Sequence, residues 1–194
     1  MTALAILDLG YGNMDSIRLA FARLGIEAVL TADADEAEHA ERLVLPGVGA
    51  AGFAMRRLAD GGLIEPLRRR TGPILGVCLG MQILFDHSEE ADTACLGLVP
   101  GRVRALKPAP GRPVPHMGWT SIARANAGIG IDVGDYVYFA HGFACDDGPA
   151  TAASVSYGET LPAVIRQDNL WGAQFHPERS SAAGARFLSA FLDS

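Results

Sequence analysis

Residues 73–82 read Pro-Ile-Leu-Gly-Val-Cys-Leu-Gly-Met-Gln, and the fold turns on this stretch. An apolar run of strand length enters Gly76-Val77-Cys78-Leu79-Gly80, and an apolar segment of helical length follows. Strand, cysteine and helix in that order, with glycine two positions either side, is the cysteine form of a nucleophile elbow. The sharp turn strains the backbone at the central residue, and side chains two positions away would collide. The turn pushes the sulfur out and leaves it at a helix N-terminus. A free thiol with a pKa near 8.5 is only about 3% thiolate at neutral pH, and bringing the pKa to about 7 takes roughly 2 kcal/mol. A helix terminus supplies about 0.3–1 kcal/mol, with about 2 as a ceiling. The turn therefore calls for a base or cation from elsewhere. Taken alone, the elbow leaves an equal alternative, in which Cys78 is a small buried hydrophobe.

Upstream, short apolar runs alternate with helical patterns. Leu4 to Asp8 forms a compact strand ending at a Gly-rich turn. Ile17, Ala20, Phe21 and Leu24 then recur at helical spacing, with Gly25 where a C-terminal cap belongs. Glu27 to Thr31, Arg42 to Leu45 and Pro73 to Val77 supply the second, third and fourth strands. Apolar strands separated by helices predict a parallel sheet covered on both faces, a doubly wound α/β arrangement. Downstream, Leu98 to Leu106, Met117 to Ile122, Tyr136 to Ala140, Thr151 to Ser156, Ala163 to Gln167 and Trp171 to Phe175 read as strands with little helix between them. Antiparallel pairing is expected there. Lys107 to Pro115 carries four prolines and reads as a loop, and Ser181 to Leu192 as a final helix with Gly184, Phe187, Leu188 and Phe191 on one face. One mixed sheet with an antiparallel extension is expected, in a single domain spanning 1–194.

The 194 residues are 49% hydrophobic and 20% charged, which excludes a disordered chain. A formal charge of −6 disfavours nucleic acid and anionic membranes as partners. Met1 to Asp8 lacks a preceding basic region and reads as a strand, not a signal peptide. No run approaches the roughly 20 apolar residues that span a bilayer. Cys78, Cys95 and Cys145 fit neither a disulfide framework nor a zinc pattern. A reducing cytoplasm is the expected location, with Cys95 and Cys145 as structural residues and no metal or other cofactor.

Trp171 to Glu178, Trp-Gly-Ala-Gln-Phe-His-Pro-Glu, offers the missing base. The apolar strand ends at Phe175, His176 stands at its tip, and Pro177 stops the strand. A turn there folds Glu178 back to fix the imidazole tautomer and stabilise its cation, as in a Ser-His-Asp arrangement. Read singly, His176 is better taken as a capped surface histidine and Glu178 as a solvated carboxylate; their pairing with a cysteine elbow makes the catalytic reading much stronger. His87, near the end of the helix after Cys78, reads as a surface residue, and His39 lies in an acidic helical stretch.

Cys78 within Gly-Val-Cys-Leu-Gly-Met-Gln, together with His176-Pro-Glu178, resembles the class I glutamine amidotransferases. Within that family the chain is most similar to the glutaminase subunits of imidazole glycerol phosphate synthase. Further segments carry this: Asp8-Leu-Gly-Tyr-Gly-Asn13, Leu45-Pro-Gly-Val-Gly49, Pro115-His-Met-Gly-Trp119, Tyr136-Val-Tyr-Phe-Ala-His141 and Phe175-His-Pro-Glu-Arg-Ser180. The resemblance runs from about residue 4 to the last helix. It implies a flavodoxin-like α/β domain that hydrolyses the side-chain amide of glutamine through a Cys78 thioester, with His176 and Glu178 as the activating pair.

The thioester chemistry passes through an oxyanion that needs two N–H donors. Leu79, just after the nucleophile, is expected to give one, and the resemblance assigns the other to Val48–Gly49. A peptide flanked by Gly47 and Gly49 rotates freely enough to act as a switch. The family pattern also makes Gly47, Gln82, His141, Gly142 and Phe143 substrate contacts. Family members usually carry Ser or Thr and then Tyr where this chain has Gly142 and Phe143, so both hydroxyls are absent here.

No acceptor-binding motif is visible, so the ammonia is expected to be used by another protein. The resemblance implies a heterodimer with a (β/α)8-barrel cyclase subunit, and Met117, Trp119, Tyr136, Tyr138 and Arg179 are the candidate interface residues. Aromatic, Met and Arg side chains are enriched in interface cores. Core packing is the alternative for the aromatics. Arg179, next to the triad, is expected in an ion pair, with a solvated charge as its alternative. Three rivals remain: an anthranilate-type or pyridoxal-phosphate-pathway glutaminase, a partner-free γ-glutamyl peptidase, and a silent regulatory module. The anthranilate type usually shows Pro-Gly-Pro-Gly and Leu-Gly-His-Gln, unlike this chain. The intact Cys, His and Glu speak against silence.

Overall fold

A computed structural model describes residues 2–10 and 12–194; Met1, and Tyr11 of the Asp8–Asn13 segment, lie outside the described residues. The first half runs β1 (Leu4–Leu7), α1 (Met14–Ala22), β2 (Val29–Thr31), α2 (Ala34–His39), β3 (Arg42–Leu45), α3 (Ala51–Asp60), α4 (Ile64–Arg69) and β4 (Ile74–Val77). After Cys78 come α5 (Leu79–Gln82), β5 (Phe85–Ser88), β6 (Thr93–Ala94), β7 (Val99–Ala105), β8 (His116–Ala125), β9 (Tyr136–His141) and β10 (Phe143–Cys145). The chain closes with β11 (Thr151–Ser156), β12 (Thr160–Gln167), β13 (Leu170–Ala173) and α6 (Ser181–Leu192).

A nine-stranded sheet has the order β2-β1-β3-β4-β13-β12-β11-β8-β9. Its first five strands are parallel and its remainder antiparallel. This is the mixed sheet read from the sequence, with one correction. Leu98 to Leu106 does not extend that sheet; β7 joins β10, β5 and β6 in a separate four-stranded sheet. Among the described residues, no helix is long and apolar enough to cross a membrane.

The central strands are buried on both faces, so they carry continuous apolar runs. In β1, Leu4 and Ile6 face one core while Ala5 and Leu7 face the other. α6 covers the first of these: Phe187 meets Trp171 and Phe175 edge-on, with ring centroids 5.9 and 5.4 Å apart, and Phe191 meets Trp171 at 6.0 Å. All four rings are at most 1% exposed, and burying a side chain of this size contributes roughly 1.5–3 kcal/mol.

Two further expectations need correction. The helix after Cys78 lasts only four residues. The chain then turns, and Leu98 and Val99 donate N–H bonds to the Leu84 carbonyl. Pairing of Phe85–Ser88 with β7 overrides the helical pattern of Ile83, Leu84 and Phe85. His87 consequently lies in β5, with Nε2 2.9 Å from Asp92 Oδ1, and not on a helix. The strand before His176 ends at Ala173, two residues short of Phe175.

Candidate active site

Topology brings the two distant motifs together. β4 and β13 are parallel neighbours in the register Leu75↔Trp171 and Val77↔Ala173. Cys78 N–H donates to the Ala173 carbonyl at 2.7 Å. Both motifs therefore leave the same carboxyl edge of the sheet, where open α/β folds place their ligands.

Cys78 has φ 54° and ψ −109°, a left-handed backbone that a non-glycine residue rarely adopts. The flanking glycines are required by contact. A Cβ on Gly76 would lie 2.5 Å from the Gly80 carbonyl oxygen, and one on Gly80 would run into the Leu45 carbonyl. Gly47 packs equally closely; its Cβ would lie 2.6 Å from Gly80 N and 2.7 Å from Leu79 Cβ. The loop after β3 thus rests on the first turn of α5, beside Cys78. Leu79 opens α5, where backbone N–H groups lack intrahelical acceptors. Gly49 has φ +87° with open space around it, and Val48 is 38% exposed. The far side of this loop is pinned, because the Ala51 N–H donates to Glu90 Oε2 at 2.6 Å.

His176 Nδ1 sits 2.8 Å from Glu178 Oε1, and the glutamate side chain is 2% exposed. The turn is held from behind by Ser180. Its hydroxyl donates to the His176 carbonyl at 2.7 Å and accepts the Tyr138 N–H at 3.0 Å. A Cβ on Gly184 would collide with the Pro177 carbonyl, so α6 can begin this close only with glycine there. Burial works against a cation at His176, but hydrogen bonds from its ring to Cys78 and Glu178, with the charge they carry, outweigh it and raise the imidazole to about 10. A four-residue helix offers the sulfur little dipole.

Other candidates are placed differently from a simple reading. Gln82 Nε2 donates to the Phe143 carbonyl at 2.8 Å and to Gln174 Oε1 at 2.9 Å, so its amide nitrogen is engaged within the chain. His141 is 5% exposed, with Nδ1 2.7 Å from the Phe143 carbonyl and Nε2 3.1 Å from His116 Nδ1. Its ring is therefore not open to a ligand. Burial above all, aided by the nearby His116 and His176, lowers it to about 4 despite the bond to Phe143. Burial lowers His116 likewise to about 4. Cys95 and Cys145 are buried, and burial raises both thiols, Cys95 to about 11.

Strands β8 and β9 present the predicted interface residues on one face. Trp119 pairs with Tyr138, and Ser121 with Tyr136. Met117, Trp119 and Tyr136 are 64%, 49% and 61% exposed. Trp119 meets Tyr138 edge-on at 6.0 Å, and the Arg179 guanidinium lies 4.7 Å over the Tyr138 ring. Arg179 thus stacks on an aromatic face within this chain.

The sequence reading missed Gln174, His116, Ser180 and Glu90. A buried amide inside the apolar run Trp171–Phe175 was the available signal for Gln174. The others depend on contacts between segments far apart in the chain.

The class I glutamine amidotransferase family matches residues 5–194. The chain belongs to that family. This amidotransferase is 48% identical over 196 aligned residues to "Imidazole glycerol phosphate synthase subunit HisH" of Xylella fastidiosa, covering 100% of this chain and 98% of the relative. The same name is carried by a Xanthomonas campestris protein at 48% identity and the same coverage. A solved glutamine amidotransferase shares the fold with a TM-score of 0.78 at 23% identity, covering 98% of this chain and 97% of that one.

Proposed function

We propose that this chain is the glutaminase subunit of imidazole glycerol phosphate synthase, releasing ammonia from glutamine for a (β/α)8-barrel cyclase partner in histidine biosynthesis. The observation that carries the chemistry is the strained Cys78 at the end of β4, brought to the same sheet edge as an imidazole that Glu178 holds at 2.8 Å. Near-full-length identity of 48% to subunits of that name supports the pathway. The Pro46-Gly-Val-Gly49 and Leu79-Gly-Met-Gln82 segments disfavour the anthranilate-type rival.

The Cys78 sulfur attacks the side-chain amide carbon of glutamine, forming an S–C bond and an oxyanion. Leu79 N–H and the Val48–Gly49 peptide receive that oxyanion. The His176 imidazolium gives its proton to the departing nitrogen, the C–N bond breaks, and ammonia leaves a γ-glutamyl thioester. His176, now neutral, takes a proton from water as that water attacks the thioester, and glutamate is released with the thiolate and imidazolium restored. Glu178 keeps Nδ1 bonded throughout, so that Nε2 faces the sulfur.

Released into neutral water, the ammonia would become ammonium, which is not nucleophilic. The exposed face of Met117, Trp119, Tyr136, Tyr138 and Arg179 is the docking surface that avoids this loss. Glutamate production with and without the cyclase subunit tests the whole reading. Strong stimulation by the cyclase is expected. Equal activity in its absence would point to a stand-alone peptidase, and none under either condition to a silent module.

A further inference from the structure

Gln174 is wholly buried one residue beyond β13, and its Nε2 lies 3.8 Å from Cys78 Sγ. Which end of this amide faces the sulfur is fixed by a chain of neighbours. The Phe143 carbonyl can only accept, so Gln82 must turn its NH2 towards it. The same NH2 donates to Gln174, which makes the near atom of Gln174 its oxygen. The NH2 of Gln174 is left facing the sulfur. A flipped Gln174 would set two NH2 groups against each other and aim its oxygen at the thiolate.

The far end of the chain is equally determined. His141 Nδ1–H donates to the Phe143 carbonyl, so His141 Nε2 accepts from His116 Nδ1–H, and His116 Nε2 accepts the Thr120 hydroxyl. His116 is clamped between Phe139 and Tyr157, at centroid distances of 4.7 and 3.9 Å. Every donor and acceptor along this path has one orientation.

We propose that Gln174 is a positioning residue that donates a hydrogen bond to the Cys78 sulfur and holds it for attack, its own NH2 kept on the sulfur by the Gln82–Phe143–His141–His116–Thr120 hydrogen-bond chain. This rests on Cys78 being the nucleophile, and it adds a donor to the sulfur besides His176. A hydrogen bond to a charged group is worth about 10–100-fold in an equilibrium or a rate.

The test is Gln174→Met, which keeps the volume and removes the donor. In the full chain, the rate at which iodoacetamide alkylates Cys78 near neutral pH should fall about 10–100-fold. Glutaminase kcat with the cyclase present should fall comparably, with KM for glutamine within about threefold. A folded variant that keeps wild-type alkylation and kcat overturns the proposal. Should the variant not fold, the side-chain NH2 resonances of Gln174 in the unsubstituted chain decide: they should shift when Cys78 is alkylated, and unmoved resonances overturn it. Alkylation of Cys78 that leaves wild-type glutaminase intact would instead refute Cys78 as nucleophile, a separate outcome.

Discussion

Replacing His116 with phenylalanine should flatten the acid limb of this protein's stability curve. His116 and His141 are 2% and 5% exposed, and burial holds both near a pKa of about 4. The unfolded value is about 6.5, so between these limits the unfolded chain binds protons that the folded chain refuses, and stability is lost as pH falls from about 6.5 to about 4. At about pH 4.5 each imidazole should have cost the fold roughly 2–3 kcal/mol, or about 5 together, against a typical total of about 5–15. The introduced phenyl ring would still stack between Phe139 and Tyr157, but His141 Nε2 would lose its donor. That loss should destabilise the variant by about 1–3 kcal/mol at neutral pH. With one titrating group removed, the deficit should then close by roughly 2–3 kcal/mol on going to about pH 4.5. Urea unfolding across that range measures both. An unchanged pH slope in the variant would refute the reasoning that these rings are buried neutral.

Glu178→Gln should lower glutaminase kcat by at least about 100-fold, because the amide cannot stabilise the imidazolium that Oε1 now faces; steady-state kinetics with the cyclase checks this, and kcat within tenfold would count against the assigned role. Wild-type stability should also fall above neutral pH. A histidine raised to about 10 contributes stability that is fully present below about 6.5 and is lost as pH rises towards 10, and this alkaline loss should vanish from unfolding curves of His176→Ala. Gly80→Ala should yield insoluble or strongly destabilised protein, since the new methyl meets the Leu45 carbonyl; a soluble variant with wild-type melting would contradict the packing described. Trp119→Ala should weaken cyclase binding by at least about 2 kcal/mol, measured by titration calorimetry, while leaving the melting of the isolated chain almost unchanged.

The parallel half of the sheet was legible because its strands are buried on both faces and appear as unbroken apolar runs, as in Leu4–Leu7 and Ile74–Val77. Glycine at 80 is demanded by the Leu45 carbonyl of the neighbouring strand β3, but the elbow was legible because glycine at 76 has a steric cause local to the turn. His176 and Glu178 were legible for the same reason, since Pro177 fixes a short turn between them. What escaped was set by pairing between distant segments. Ile83-Leu84-Phe85 carries a helical pattern, and only the later segment 96–103 draws it into a turn and the start of β5. The bonds of Gln82 to Gln174 and Phe143, and of His141 to His116, join segments far apart in the chain and leave no local trace. The placement of Leu98 to Leu106 in a second sheet has the same origin: alternation marks a strand and says nothing of its neighbour.

The most direct measurement is synthesis by a Cys78→Ser variant assembled with the cyclase subunit, assayed in turn with glutamine and with added ammonium. Glutamine-dependent synthesis should disappear while ammonium-dependent synthesis persists near the wild-type rate. Glutamine-dependent turnover surviving in the serine variant, or both activities vanishing from a correctly assembled pair, would contradict Cys78 as the nucleophile that releases the ammonia.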